Sequence, residues 1–294
     1  MNKKRVKHNV IYVVIRLLLF FVRIVPRKIG LVASSLLGRF IFLFNTPEKK
    51  LTAKNLKIIF PNLTEKEIEL RSKKIYINLT KNAYDAVYLS ICSNKKFFDI
   101  VYYDDLSEFD KIYKEGRGLV GITYHLGCFE LNVKLFAKLG YKVFSIGQKL
   151  YDSRVDKIAS QLRTRGGAEY FHRDNSGREI LKNLKRGKLF GVLADYKTGL
   201  DTMALDFLGH TAPCPTAPVR IAMKGKIPII VAYSYRDYND KHRFVIQDIF
   251  NPECDDNFDE ALKKNMTKIN DHISEGISNH PLQWTWMMKK WDVV

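Results

Sequence analysis

The chain has 294 residues, 46% of them apolar, and a formal charge of +18 at pH 7. That length and apolar content allow one large domain with a substantial core. Four scattered cysteines (Cys92, Cys128, Cys214, Cys254), with no CxxC pair, exclude a zinc ribbon and point to free thiols in a reducing compartment.

The charge is concentrated at the amino-terminal end. Twelve Lys and Arg fall within the first 54 residues, against Glu48 alone. The same end is apolar: Val10 to Val25 and Leu31 to Phe44 are hydrophobic runs interrupted by Arg16, Arg23 and Arg39. Neither run reaches the roughly 18 uninterrupted apolar residues of a spanning helix. No small-residue cleavage site follows the first run, which argues against a signal peptide. Basic flanks and arginines on an apolar helix suit an in-plane amphipathic pair at an anionic membrane surface, or a marginal span. A core helix pair of a soluble protein is the alternative. Residues 1–50 therefore read as a basic hydrophobic anchor and 51–294 as one catalytic domain.

Thr64 with Glu67 three residues later is a capping box, so a helix is expected from about Glu65 to Cys92. The acids Asp104, Asp105, Glu108 and Asp110 read as a solvated surface. Beyond them strands are expected near 118–124, 141–147, 168–172, 189–194, 202–207, 228–236 and 242–249. Helices are expected near 128–139, 152–165, 176–186, 215–225 and 258–279. Alternation of this kind predicts an α/β fold around a parallel or mixed sheet.

His125 falls where the apolar strand Gly118–Thr123 gives way to a helix, the edge at which open α/β sheets bind ligands. Glu130 lies about one helical turn further on. A histidine held by a carboxylate is the arrangement that removes a proton from an alcohol. A helix-start histidine beside a solvated glutamate is the plainer alternative. Cys128 next to His125 raises a Cys–His nucleophile, but beyond Glu130 no third group singles it out.

Arg163 and Arg165 close the helix expected to start at Asp152. Their guanidinium groups suit phosphate oxygens, or else satisfy the helix dipole. Asp195 follows a strand on the same edge as His125, where a turn or cap is the competing role. The small residues and prolines of 206–218 suggest a tight loop leading into a helix and presenting amides to an anion. His172 and His210 read as satisfied structural histidines. No HExxH or Cys/His cluster suggests a metal. The last segment, His280 to Trp291, carries all three tryptophans among basic residues, as at a membrane–water boundary or in a core-capping helix. Nucleic acid as a partner would want a basic groove with interleaved aromatics in the domain itself, whereas the charge is concentrated at the hydrophobic end.

Taken together, KNLKIIFPNL (54–63), YHLGCFELN (124–132), the arginine-containing helix end, LADYKTG (193–199), DFLGHTAPCPTAPVRIA (206–222) and HPLQWTWMMKKW (280–291) resemble the late acyltransferases of lipid A biosynthesis, the lauroyl/myristoyl transferase family of Gram-negative bacteria. The similarity runs over most of the chain. The wider glycerolipid acyltransferases share only the short pair, as H-x4-D. The resemblance implies a glycerolipid-acyltransferase-like mixed sheet flanked by helices, with an N-terminal hydrophobic membrane-associating helical segment. It implies His125 and Glu130 as a catalytic dyad, and Arg163 (or Arg165) and Asp195 as substrate-binding residues, without a cofactor or metal. Acyl carrier protein would be the donor and a hydroxyl of a lipid A precursor the acceptor, at the cytoplasmic face of the inner membrane. Lysophosphatidate or another glycolipid as acceptor, and a non-catalytic membrane scaffold, are the competing readings. Two departures stand out: the family often has asparagine and tryptophan at the positions of Cys128 and Phe129, and a second acid at that of Lys197.

Overall fold

The computed structural model describes residues 3–173, 176–196 and 201–291, so Lys197 lies outside the described residues. The chain opens with α1 (Lys3–Ile24), α2 (Arg27–Phe42), α3 (Pro47–Ile59), α4 (Glu65–Ile91) and α5 (Asn94–Ile100). Then come β1 (Val101–Tyr103), α6 (Ser107–Lys114), β2 (Leu119–Thr123), α7 (Glu130–Lys138), β3 (Val143–Gly147), α8 (Ser153–Thr164) and β4 (Glu169–His172). The remainder is α9 (Ser176–Leu184), β5 (Leu189–Leu193), the pair β6 (Thr202–Phe207) and β7 (His210–Pro215), α10 (Ala217–Gly225), β8 (Ile229–Arg236), β9 (His242–Phe250) and α11 (Phe258–Asn279).

Seven strands form one sheet in the order β1-β9-β8-β2-β5-β3-β4, parallel throughout except at the β8–β9 hairpin. Both faces are covered. Along β8, Ile229, Val231 and Tyr233 join one apolar cluster while Ile230 and Ala232 join the other. Burial on both faces is why these strands read as unbroken apolar runs rather than alternating ones. The first cluster takes in α3, α10, α11 and the carboxyl-terminal tryptophans; the second takes in α5, α6 and α7.

The capping box forms as expected: Thr64 accepts from the Glu67 amide, and Glu67 accepts from the Thr64 amide at 2.8 Å. Asp104, Asp105 and Glu108 are exposed as expected, and the stretch runs into the short helix α6, whose Phe109 is fully buried. Three elements differ from the sequence reading. The expected loop 210–215 is instead the second strand of a hairpin, with Leu208 and Gly209 both at positive φ in its turn. Its prolines are tolerated because a two-stranded ribbon has only edges. The tryptophans are neither a terminal helix nor a surface belt: Trp284 and Trp286 are fully buried in irregular chain. The domain boundary placed after residue 50 falls inside α3, which is tied to the body because Asn55 Nδ2 donates to the carbonyls of Trp286 (2.7 Å) and Met288 (2.8 Å).

At the amino-terminal end, Arg27 at the start of α2 grips Asp85 of α4 side-on, donating from Nε at 2.8 Å and from Nη2 at 2.7 Å. Arg236 and His242 converge on the same buried carboxylate at 2.7 and 2.9 Å. The outer faces of α1 and α2 remain uncovered: Leu17, Leu18, Phe20, Val32, Leu36 and Phe40 are all more than half exposed. Among the described residues no single helix is long and apolar enough to cross a membrane, and α2 and α3 meet at a 90° bend.

Candidate active site

The site is assembled by strand register. β2 and β5 are parallel neighbours with Thr123 opposite Leu193. His125 and Asp195 each lie two residues beyond that pair, so the chains deliver them side by side at the carboxyl edge of the sheet. Asp195 Oδ1 meets His125 Nδ1 at 2.8 Å, and Asp195 Oδ2 accepts the His125 backbone N–H at 2.9 Å. One carboxylate thus fixes the backbone and the ring of the same histidine. Asp195 has no exposed surface, whereas the His125 side chain is 23% exposed. Pairing at Nδ1 leaves Nε2 as the nitrogen that can meet a substrate.

Burial works against the imidazolium, but the charge and hydrogen bond of Asp195 outweigh it, so the pKa of His125 is raised above its ordinary value. Asp195 loses hydration on burial, yet His125 and the indole N–H of Trp284 hold its pKa below the usual carboxylate range. The Trp284 contact is a 2.8 Å hydrogen bond to Oδ2.

The carboxyl-terminal segment is sewn to the histidine loop. Thr285 donates its amide and its hydroxyl to the His125 carbonyl, both at 3.1 Å. Gly127 donates to the Gln283 carbonyl at 3.0 Å. Gly127 has φ +56°, and a Cβ there would run into the Ser234 carbonyl of β8, so the close passage of this loop requires glycine. Its amide is engaged with Gln283 and is not a free donor for an anion.

Glu130 does not hold the imidazole. It opens α7 and pairs instead with Arg163, whose Nη2 approaches Glu130 Oε1 at 2.8 Å while Nη1 donates to the Tyr170 hydroxyl at 2.9 Å. Glu130 acts on His125 only through its charge. Lys134, one turn after Glu130 on α7, is buried and donates to the Leu162 carbonyl at 2.6 Å, at the end of α8. Burial pulls its pKa down to about 8, against the nearby Glu130 charge.

His125, Glu130, Lys134 and Arg163 line a cavity of about 350 Å³, with Phe129, Val133, Ile146 and Val192 as its apolar walls. Of the residues singled out in the sequence, His125, Glu130 and Arg163 face this cavity. Asp195 sits behind His125, where it holds the ring and cannot reach a substrate. Arg165 is the exposed residue capping α8 and does not line the cavity. Cys128 is buried with its thiol directed at the Asn82 carbonyl, and burial pushes its pKa up to about 12, which removes it as a thiolate nucleophile. Among the described residues no group of three or more His, Cys, Asp or Glu converges as metal ligands.

Lys134 could have been found from its i+4 spacing to Glu130 on one helix face. Trp284 carried no such signal, because only the folded chain brings it to Asp195.

A buried carboxylate holding an imidazole at the open edge of a mostly parallel sheet, beside a cavity containing an Arg–Glu pair, is an arrangement suited to proton transfer in an α/β fold. The family model described as bacterial lipid A biosynthesis acyltransferase matches residues 2–292, and the chain belongs to that family. It is therefore an acyltransferase of lipid A biosynthesis. Comparison with curated proteins gave no match.

Proposed function

We propose that the enzyme moves a fatty acyl chain from acyl carrier protein to a hydroxyl of a lipid A precursor, with His125 as the base. The observation that carries this reading is the Asp195–His125 pair, which occupies Nδ1, leaves Nε2 of a cavity-lining histidine for a substrate and raises its basicity. Nε2 takes the proton of the acceptor hydroxyl as that oxygen attacks the thioester carbonyl. The tetrahedral intermediate then expels the carrier thiol by breaking the C–S bond, and the imidazolium returns the proton to sulfur. No acyl-enzyme is required. The Arg163 guanidinium, held by Glu130 and Tyr170, is the fixed positive group available to the oxyanion or to an acceptor phosphate.

The uncovered apolar faces of α1 and α2, with their arginines, favour attachment in the plane of the cytoplasmic leaflet of the inner membrane. The acyl carrier protein is cytosolic, and a basic amino terminus kept inside before a single span would put the site on the far side.

Purified enzyme incubated with acyl carrier thioester and either lipid A precursor or lysophosphatidate, followed by mass analysis, tests the reading. A mass gain on the lipid A precursor, lost in His125→Ala with binding intact, is expected. Gain only on lysophosphatidate would transfer the function to glycerolipid synthesis. Full single-turnover transfer by His125→Ala would overturn the role of the histidine.

A further inference from the structure

A second chamber adjoins the active-site cavity. It measures about 130 Å³ and lies between α4 and α8, with Ala86, Val87 and Ser90 on one wall and Ala159 and Leu162 on the other. Glu130, Lys134 and Arg163 line both spaces, so the Glu130–Arg163 pair forms the waist between them. The polar groups of the chamber wall are already engaged. The Ser90 hydroxyl donates to the Ala86 carbonyl at 2.5 Å, and Lys134 Nζ donates to Leu162 at 2.6 Å. What remains is a small chamber with apolar walls on α4 and α8 and one charged side.

Its position relates it to the exposed helices. Val87, which lines the chamber, packs in the cluster formed by Val22 of α1, Leu31 of α2 and Tyr84 of α4. α1 also touches α8, where Arg154 donates to Asn9 at 2.9 Å and stacks on Tyr12. The chamber therefore lies directly beneath the elbow of the two helices whose apolar faces are uncovered. The apolar wall of the chamber thus joins the packing of those helices at Val87, and its Glu130–Arg163 side also lines the cavity of His125.

We infer that this chamber receives the hydrocarbon tail of the acceptor lipid, namely the acyl chain that bears the accepting hydroxyl. The inference rests on the proposed function and adds where the acceptor lies. A hydroxyl near the head of an acyl chain must reach His125 while the rest of the chain stays out of water. With the hydroxyl at His125, the tail passes the Glu130–Arg163 pair into the chamber and continues toward the lipid under α1 and α2. The active-site cavity, with Val133, Ile146 and Val192, is left for the donor chain. The two reacting chains then approach the base from different sides.

The test is photolabelling by a hydroxyacyl glucosamine lipid carrying a diazirine in its tail, in detergent micelles with the full-length enzyme. Adducts are expected on peptides containing residues 86–90 and 159–162, and they require no turnover. Adducts confined to residues 146–148 or 191–193, or none at all, would overturn the inference even if transfer activity is present. Adducts at the chamber in an enzyme that transfers nothing to this lipid would overturn the functional reading while leaving the chamber a lipid site.

Variants give a second readout. Ala159→Leu fills the chamber and should raise KM for a long-tailed acceptor about tenfold, the loss of roughly two buried methylenes. KM for the acyl thioester, and for a 3-hydroxybutyryl acceptor with no tail, should stay at the wild-type value. Val87→Ala enlarges the same space without a clash and should relax discrimination against a methyl-branched tail. An unchanged ratio of long- to short-tailed KM in both variants, with melting near wild type, would defeat the proposal.

Discussion

Asp195 has three donors on its two oxygens, and each stabilises a different part of the site. The ring contact fixes the tautomer of His125, the backbone contact fixes the loop, and the Trp284 indole keeps the carboxylate from turning. Asp195→Asn keeps the shape and loses the charge, so kcat should fall by about 10³–10⁴-fold, the order of effect seen when an orienting carboxylate is lost. The sign of the pH effect follows from the shift. With His125 as the proposed base, activity should need the neutral ring and fall as pH drops through its raised pKa. Without the Asp195 charge, burial is opposed only by the Glu130 charge, so the acid limb of kcat/KM should move to lower pH. An acid limb that stays in place would mean that another group titrates there. The same pair stabilises the fold below pH 6.5, the ordinary histidine value, and that contribution fades as pH rises through the raised pKa. The general base thus becomes active in the window where its ion pair weakens. Trp284→Phe keeps the ring and removes one donor, so a smaller loss, about tenfold in kcat with KM unchanged, is expected. Equal changes in kcat and KM would instead indicate that the tail shapes the pocket. The sequence placed both His125 and Asp195 on one sheet edge but not beside each other, because adjacency depends on β2 and β5 being neighbours. Glu130 was assigned to the imidazole because it is near in sequence. In the fold it faces Arg163, which lies on a separate helix.

Elements far apart in the chain meet through buried polar groups, and these are where the sequence was least informative. The helices of the α/β body have hydrophobic periodicity and its strands are short apolar runs, so their order was legible to within a few residues. The short α5 and α6 are too brief to show a period, and the β6–β7 ribbon is disguised by Pro213 and Pro215. Asp85 was invisible as a key residue, since its partners Arg27, Arg236 and His242 come from three other parts of the fold. It is fully buried, and despite that burial the hydrogen bonds and charges around it hold its pKa well below the usual range. Asp85→Ala leaves the buried Arg236 with only Asn82 (2.8 Å) and the longer Asp240 contact (3.6 Å) beside the Arg27 charge, and a loss of about 3–5 kcal/mol is expected from urea unfolding. The Asp85 contribution is present above the ordinary carboxylate pKa of 3.8 and disappears as pH falls through the depressed value. His242 is also lowered, chiefly by burial, so the unfolded chain gains a proton below pH 6.5 that the folded chain resists. Stability should therefore begin to fall below pH 6.5, ahead of the carboxylate step. His242→Gln should flatten that first step; an unaltered slope would show that other histidines cause it.

For the molecule as a whole, the decisive asymmetry is between a body with two covered sheet faces and an amino-terminal helix pair with one apolar side uncovered. Leu17, Phe20, Val32 and Phe40 are each more than half exposed, in the part of the chain that also holds Arg16, Arg23 and Arg39. Apolar contact and basic charge act together at an anionic surface, with about 1 kcal/mol for each Lys or Arg near the lipid. Charge alone would be released by salt, whereas inserted apolar side chains would not. Wild-type enzyme should therefore remain on anionic vesicles at 0.5 M salt, a concentration at which the screening length is only about 4–5 Å. Leu17→Asp with Phe20→Asp should move it into the supernatant while leaving transfer to a short-tailed soluble acceptor intact. Complete release of the wild type by salt would reduce the helices to an electrostatic contact. Orientation is checked on sealed inside-out vesicles, where an in-plane attachment at the cytoplasmic leaflet leaves residues 51–294 open to protease. Protection of that region inside the lumen would mean that α1 and α2 carry the chain across.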